Sequence, residues 1–275
     1  MAFELFKKKY FSAGACTDPG LLRPDNQDAY RCCPGSGFFV VSDGMGGGEE
    51  GARASAMAVR ELRKAAVAPL KELSRAVGFA YRANAAIAGF AAEHGLRGMG
   101  ATLVGLLLSP FDPAAALLFS AGDSRCYRLR GGALTPLTRD HTVAEAMGVA
   151  EEKLARHLRG VLTNAAGCGA GFFVEERRLE IAAHDRYLIC TDGIHRQLPE
   201  SGMKEILSSA DGADGKARAL VAASLKYGGA DNATAIVIEF GELPEITGEI
   251  RREEAECRDM PEEEESDDAV TPPTE

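Results

Sequence analysis

The 275 residues include no tryptophan, and aromatic residues make up only 7%. No basic stripe interleaved with aromatics runs along the chain, so a nucleic-acid partner is not expected. The most apolar runs, GATLVGLLL and AAALLF, are about half of the roughly 20 residues that a membrane helix needs. No membrane partner is expected either. The beginning, MAFELFKKKYF, lacks the apolar core of a signal peptide. There is no CxxC pair, and the seven cysteines are an odd number, which points to reduced thiols and a cytoplasmic setting. Ligand spacing for zinc is also missing. The five histidines, His94, His141, His157, His184 and His195, are scattered and are expected to hold ordinary surface or loop positions.

What is present begins with charge. The net charge is −10, but residues 241–275 carry 14 acidic and 3 basic side chains. The acidity therefore belongs to the tail, and the rest is close to neutral. That tail, with its prolines and little to bury, is expected to be disordered. Residues 1–8 read as an N-terminal arm, with the FKKK at 6–9 a solvated patch, and residues 9–240 as one folded domain.

Within that domain, short apolar runs bounded by turn residues predict strands at 9–16, 37–42, 101–109, 115–122, 126–131, 172–181, 185–193 and 232–240. A further short strand is expected at AYRCC, and RGG at 130–132 reads as a hairpin turn. Helical patterns cover 49–66, 71–93, 200–209 and 214–226, with a polar, helical connection at 142–158. Strands follow each other directly and helices come in pairs. The fold class is α+β, antiparallel sheet covered by helices, and not a doubly wound parallel sheet.

Several aspartates recur in one local setting. Asp43 ends FFVVSD and is followed by glycine; Asp192 ends YLICTD and is followed by glycine. Asp231 precedes the strand NATAIVIEF, Asp123 lies between two strands in SAGDSR, and Asp28 closes RPDNQD. Carboxylates at strand ends can meet at one edge of a sheet, and a glycine beside them lets a backbone carbonyl approach an ion. Oxygen donors without Cys or His suit a hard cation such as Mg2+ or Mn2+. Five of the eight residues after Asp43 are glycine, yet no GxxxxGK[ST] phosphate loop is formed. Read alone, each Asp-Gly is a turn and the glycine run a loop; only their recurrence favours a metal site.

In order, RPDNQDAY (23–30), VVSDGMGGGEEGARAS (40–55), GMGATL (98–103), FSAGDSRCYRLRGGALTPLTRDHT (119–142), VLTNAAG (161–167), YLICTDGI (187–194) and GGADNATAIVI (228–238) resemble the motifs of the type 2C metal-dependent protein phosphatases, in their bacterial form. The resemblance implies two packed antiparallel β-sheets flanked by helix pairs. It also implies hydrolysis of phosphoserine and phosphothreonine in proteins by a hydroxide bridging two Mn2+ or Mg2+ ions. On the matching positions, Asp43 bridges the two ions, the Gly44 carbonyl binds one, and Asp192 and Asp231 bind the other. Asp28 holds a water, Asp123 serves a third, weaker metal site, and Arg23 grips the substrate phosphate. Phosphorylated Ser/Thr proteins, including a Ser/Thr protein kinase, are the implied partners. Arg53 and Arg125 flank the presumed site, Arg125 either as a structural ion pair to a ligand carboxylate, the favoured reading, or in contact with the substrate.

Four positions depart from the family pattern. Met45 stands where some members carry histidine, Gln27 where glutamate is frequent, and Asn164 where arginine is common. After CTDGI, an acidic position of the family falls in His195-Arg196. The flap between TRDHT and VLTN is short, residues 143–160.

Overall fold

The computed structural model describes residues 3–66 and 76–259. A short N-terminal helix α1 (Glu4–Lys7) leads into strands β1 (Phe11–Asp18), β2 (Asp28–Cys33) and β3 (Phe38–Met45). Helices α2 (Gly48–Leu62) and α3 (Val77–Glu93) follow, then strands β4 (Gly100–Ala101), β5 (Leu103–Leu108), β6 (Ala115–Ala121), β7 (Arg125–Arg130) and β8 (Ala133–Pro136). After helix α4 (Val143–Met147) come β9 (Glu175–Glu180), β10 (Arg186–Cys190) and helix α5 (Asp192–His195). The domain closes with α6 (Glu200–Ser208), α7 (Ala213–Lys226), β11 (Ala233–Phe240) and α8 (Gly248–Asp259).

The strands form two antiparallel sheets, ordered β1-β11-β10-β7-β8 and β2-β3-β5-β6-β9, with β4 paired to β3. Period-two alternation divides their side chains among three layers. Phe39, Val41, Leu106, Leu118, Tyr187, Ile189, Ile236 and Ile238 fill the space between the sheets. Phe38 and Val40, on the other face of β3, pack with Ala54, Ala58 and Leu62 of α2 and Ala83 and Ile87 of α3. On the far side, Leu188 and Val237 pack with Leu207 of α6 and Leu220 and Val221 of α7. The result is the expected αββα sandwich. Among the described residues no helix is long and apolar enough to cross a membrane.

Three expectations change. The connection at 142–158 is not one helix. Thr142 caps the short α4 by accepting from the Glu145 amide, and Gly148, in the left-handed region at φ 63°, stops it. Short 3-10 turns at 151–153 and 156–158 complete the connection. The expected disorder from 241 onward is corrected as far as Asp259: α8 is formed, and its Ile250 and Cys257 are buried with Leu5 and Phe6 in the core between the sheets. An acidic composition hides two apolar positions seven apart on one helix face. The same packing corrects the solvated patch at 6–9, since Phe6 is buried and only the three lysines are exposed. Glu253 Oε2 accepts from the Glu4 amide at 3.1 Å, joining α1 to α8. Of the expected helix at 71–93, residues 71–75 lie outside the described residues, as does the acidic tail beyond Asp259.

Candidate metal centre and active site

Asp28 and Asp43 face one another directly across the β2–β3 pair, so one edge of one sheet presents two carboxylates. The other sheet brings Asp192, just beyond β10, and Asp231, just before β11, to the same place. Asp43 and Asp192 are close enough for each to influence the charge of the other. Arg23 Nη2 stands 2.7 Å from Asp231 Oδ2, at the exposed rim.

Asp28 is tied across the two sheets. Its Oδ2 accepts from Thr191 Oγ1 at 2.8 Å and from Thr234 Oγ1 at 2.6 Å. Thr17 Oγ1 lies 2.7 Å from Thr234 Oγ1 and extends this hydroxyl network. Asp43 is held by its backbone: its amide donates to Thr102 Oγ1 at 2.9 Å, and its carbonyl accepts from the Thr102 amide at 2.8 Å. These threonines were not singled out in the sequence. Their signal is weak but readable, since Thr191 immediately precedes Asp192 and Thr234 follows Asp231 by three.

Two glycines are required by close approach. A Cβ on Gly44 would lie 1.9 Å from the Gly51 carbonyl oxygen, because α2 begins hard against β3. A Cβ on Gly193 would lie 2.0 Å from the Asn232 carbonyl oxygen, where α5 starts against the β11 approach. Both Asp-Gly pairs are thus sites where only glycine fits, and not merely turns. Gln27 sits beside this glycine loop. With its amide nitrogen toward the Gly44 carbonyl, it donates there at 3.0 Å and accepts from the Gly48 amide at 3.0 Å. The loop bearing Arg23 is stapled by Asn232. Its Oδ1 accepts from the Gln27 amide, and its Nδ2 donates to the Pro19 and Asp25 carbonyls, each at 2.8 Å.

The electrostatics are those of carboxylates crowded in a dry place. Burial, reinforced by Asp192 and Asp231, pushes Asp28 up to about 7 against the pull of its two threonines. Burial and the repulsion of Asp28, Asp192, Asp123 and Asp231 hold Asp43 well above the usual carboxylate range. Burial raises Asp192 too, partly offset by Arg196. Burial followed by Asp192 carries Asp123 up to about 7. Asp28 Oδ1 and Asp192 Oδ1 are buried without a hydrogen-bond partner. Orphaned, crowded carboxylate oxygens with a backbone carbonyl beside them are a hard-cation donor set. The residues Asp43, Gly44, Asp192 and Asp231 therefore fit the implied metals. Among the described residues no three His, Cys, Asp or Glu side chains form a ready-made cage. The carboxylates are instead held by arginines, Asp231 by Arg23 and Asp192 by Arg196.

Asp123 is brought beside this group but takes a different partner. Arg196 Nη2 lies 2.8 Å from Asp123 Oδ2, and His195 Nε2 donates to the Asp123 carbonyl at 2.9 Å. His195 and His141 are both buried, against the expectation of surface roles. Burial lowers His195 to about 3, so its ring is neutral. His141 Nδ1 accepts from the Gly122 amide at 3.1 Å and from Asn164 Nδ2 at 3.0 Å. Asn164 also bonds the Phe173 backbone through both amide atoms, so it stitches two loops together. Arg125 forms a two-point pair with Asp140, at 2.8 and 2.7 Å, and not with a candidate ligand. Arg53 lies over the Phe90 ring at 5.0 Å. Met45 packs on Gly100, where a Cβ would meet its methyl carbon at 2.5 Å.

The family profile for protein phosphatase 2C matches residues 24–225. The serine/threonine phosphatase stp of Listeria monocytogenes is 31% identical over 238 residues, covering 81% of this chain and 93% of its own. PppA, described as a key regulatory component of T6SS in Pseudomonas aeruginosa, has a solved structure 31% identical, with a TM-score of 0.75, covering 84% of this chain and 98% of its own. The catalytic domain of the serine/threonine phosphatase PstP, solved in complex with two manganese ions, is 28% identical with a TM-score of 0.75, covering 84% and 99%. Motif order, sandwich and carboxylate edge agree with these likenesses: the chain belongs to the protein phosphatase 2C family, in its bacterial branch.

Proposed function

We propose that this chain hydrolyses phosphoserine and phosphothreonine in proteins with two Mn2+ or Mg2+ ions. The carrying observation is the meeting of Asp28 and Asp43 from one sheet with Asp192 and Asp231 from the other, with Arg23 at their rim. Asp43 and the Gly44 carbonyl would hold one ion, and Asp43, Asp192 and Asp231 the other. When bound, such a pair supplies an acidified water as nucleophile and compensates phosphoryl charge. Arg23 is exposed enough to turn from Asp231 to an incoming phosphate, whose oxygens suit the guanidinium fork. Asp28, fixed by Thr191 and Thr234, orients a water by accepting its proton in a hydrogen bond, and the hydroxyl network keeps that carboxylate from swinging.

The substrates are phosphorylated Ser/Thr proteins, a Ser/Thr protein kinase among them. The setting is cytoplasmic, a reading supported by the absence of disulfides among the described residues. The test is hydrolysis of a phosphothreonine peptide with Mn2+, with excess chelator, and by Asp192→Asn. Loss of turnover in the second and third conditions is expected; turnover that survives both overturns the proposal.

A further inference from the structure

Arg196 belongs to one of the departures from the family pattern, His195-Arg196. It follows α5 directly, four residues after Asp192, and each of its three guanidinium nitrogens faces a different carboxylate. Nη2 is 2.8 Å from Asp123 Oδ2, Nε is 3.2 Å from Asp192 Oδ2, and Nη1 is 3.5 Å from Glu151 Oε1. The three carboxylates come from three separate segments: the β6–β7 turn, the start of α5 and the flap. The flap backbone also closes on the guanidinium, since a Cβ on Gly160 would lie 3.3 Å from Nη1. Asp123 is 4% exposed, and its carbonyl is engaged by His195. We propose that Arg196 is a built-in cation which occupies the place between Asp123 and Asp192, closes it to a third metal ion, and fastens the flap to the site through Glu151.

The physical case is one of competition. A guanidinium keeps its charge at any working pH and offers a rigid fork, so the Asp123–Asp192 pair is compensated without an ion from solution. A divalent cation entering there would have to displace Arg196 from three carboxylates at once. It would also stand close to the positive charge of the guanidinium, beside the buried Asp123. The residues around Asp123 thus do not fit the third, weaker metal site that the sequence resemblance implies, whereas Asp43, Asp192 and Asp231 fit the main pair. The departure at His195-Arg196 and the short flap become one adaptation: an arginine that replaces an acid also finds its third partner on the flap. This inference rests on the two-ion reading of the main site.

The test is a Mn2+ titration of the metal-free full chain, with free Mn2+ followed by electron paramagnetic resonance. Wild type is expected to take up about two ions, and Asp123→Asn the same number. Arg196→Ala is expected to take up one ion more, and Arg196→Ala combined with Asp123→Asn to lose it again. A third ion in wild type that Asp123→Asn removes would overturn the proposal, as would a folded Arg196→Ala chain with wild-type stoichiometry. If Arg196→Ala does not fold, wild type against Asp123→Asn decides alone. Wild-type uptake below about two ions counts against the two-ion reading, while the gain or lack of gain in Arg196→Ala still decides the role of Arg196.

Discussion

Thr234 shows how a residue without chemistry of its own sets the chemistry of another. Its hydroxyl, with that of Thr191, holds Asp28 Oδ2 and opposes the burial that raises the Asp28 pKa. Thr234→Val keeps the shape and removes the hydroxyl. Phosphopeptide turnover at fixed Mn2+ is expected to fall by about 10–100-fold, as for other residues that orient a ligand's neighbours. Wild-type turnover in Thr234→Val would remove the orienting role. Gly44 makes a different kind of demand. Gly44→Ala would drive a methyl into the Gly51 carbonyl, and the strain of overpacking costs about 1–3 kcal/mol. Urea unfolding of the metal-free chain is the measurement, and an unshifted midpoint would contradict the close approach.

At the scale of elements, the strands and the aspartates at their ends were legible because alternation and Asp-Gly pairs are local signals. Phe38 to Val41 alternate cleanly between two layers, and the sequence shows it. What was not legible depends on partners distant in the chain. The acidity around Ile250 and Cys257 reads as solvated until Leu5 and Phe6 are seen to cover them. The 142–158 stretch has a helical composition, but its chain is bent by Gly148 and by tertiary hydrogen bonds such as the Val143 amide to the Val161 carbonyl. The threonine contacts of Asp28 span 163 and 206 residues, beyond any local pattern. The packing of α8 gives a prediction of its own. Ile250→Ala is expected to cost about 2–5 kcal/mol in urea unfolding, with turnover of the folded fraction unchanged. A cost near zero would mean that α8 does not contribute to the core. A truncation meant to test the acidic tail should therefore begin after Asp259, since an earlier cut removes packed residues along with charge.

For the whole molecule, the crowded carboxylates make stability depend on proton and metal together. Asp28 and Asp123 are raised from an ordinary 3.8 to about 7. Between these limits the folded chain holds more protons than the unfolded one, so their stabilising contribution is fully present below about 3.8 and is lost as pH rises through about 7. The urea midpoint of chelated protein is expected to be lower at about pH 8 than at about pH 5 from these groups. Mn2+ at about 100 times its dissociation constant would restore about 2.7 kcal/mol per site and flatten the dependence. A chelated protein with a rising midpoint over that range would contradict the crowding.

The bonds from Asp28 to Thr191 and Thr234 are also a seam. They join the edge of one sheet to the edge of the other at the point where both contribute carboxylates. Whatever fills that point acts as a rivet between two halves whose shared interior is filled mainly by apolar side chains. Metal loading should then be felt mechanically: the two sheets would part at lower force in the chelated protein, and they would part first at the end that carries the carboxylates.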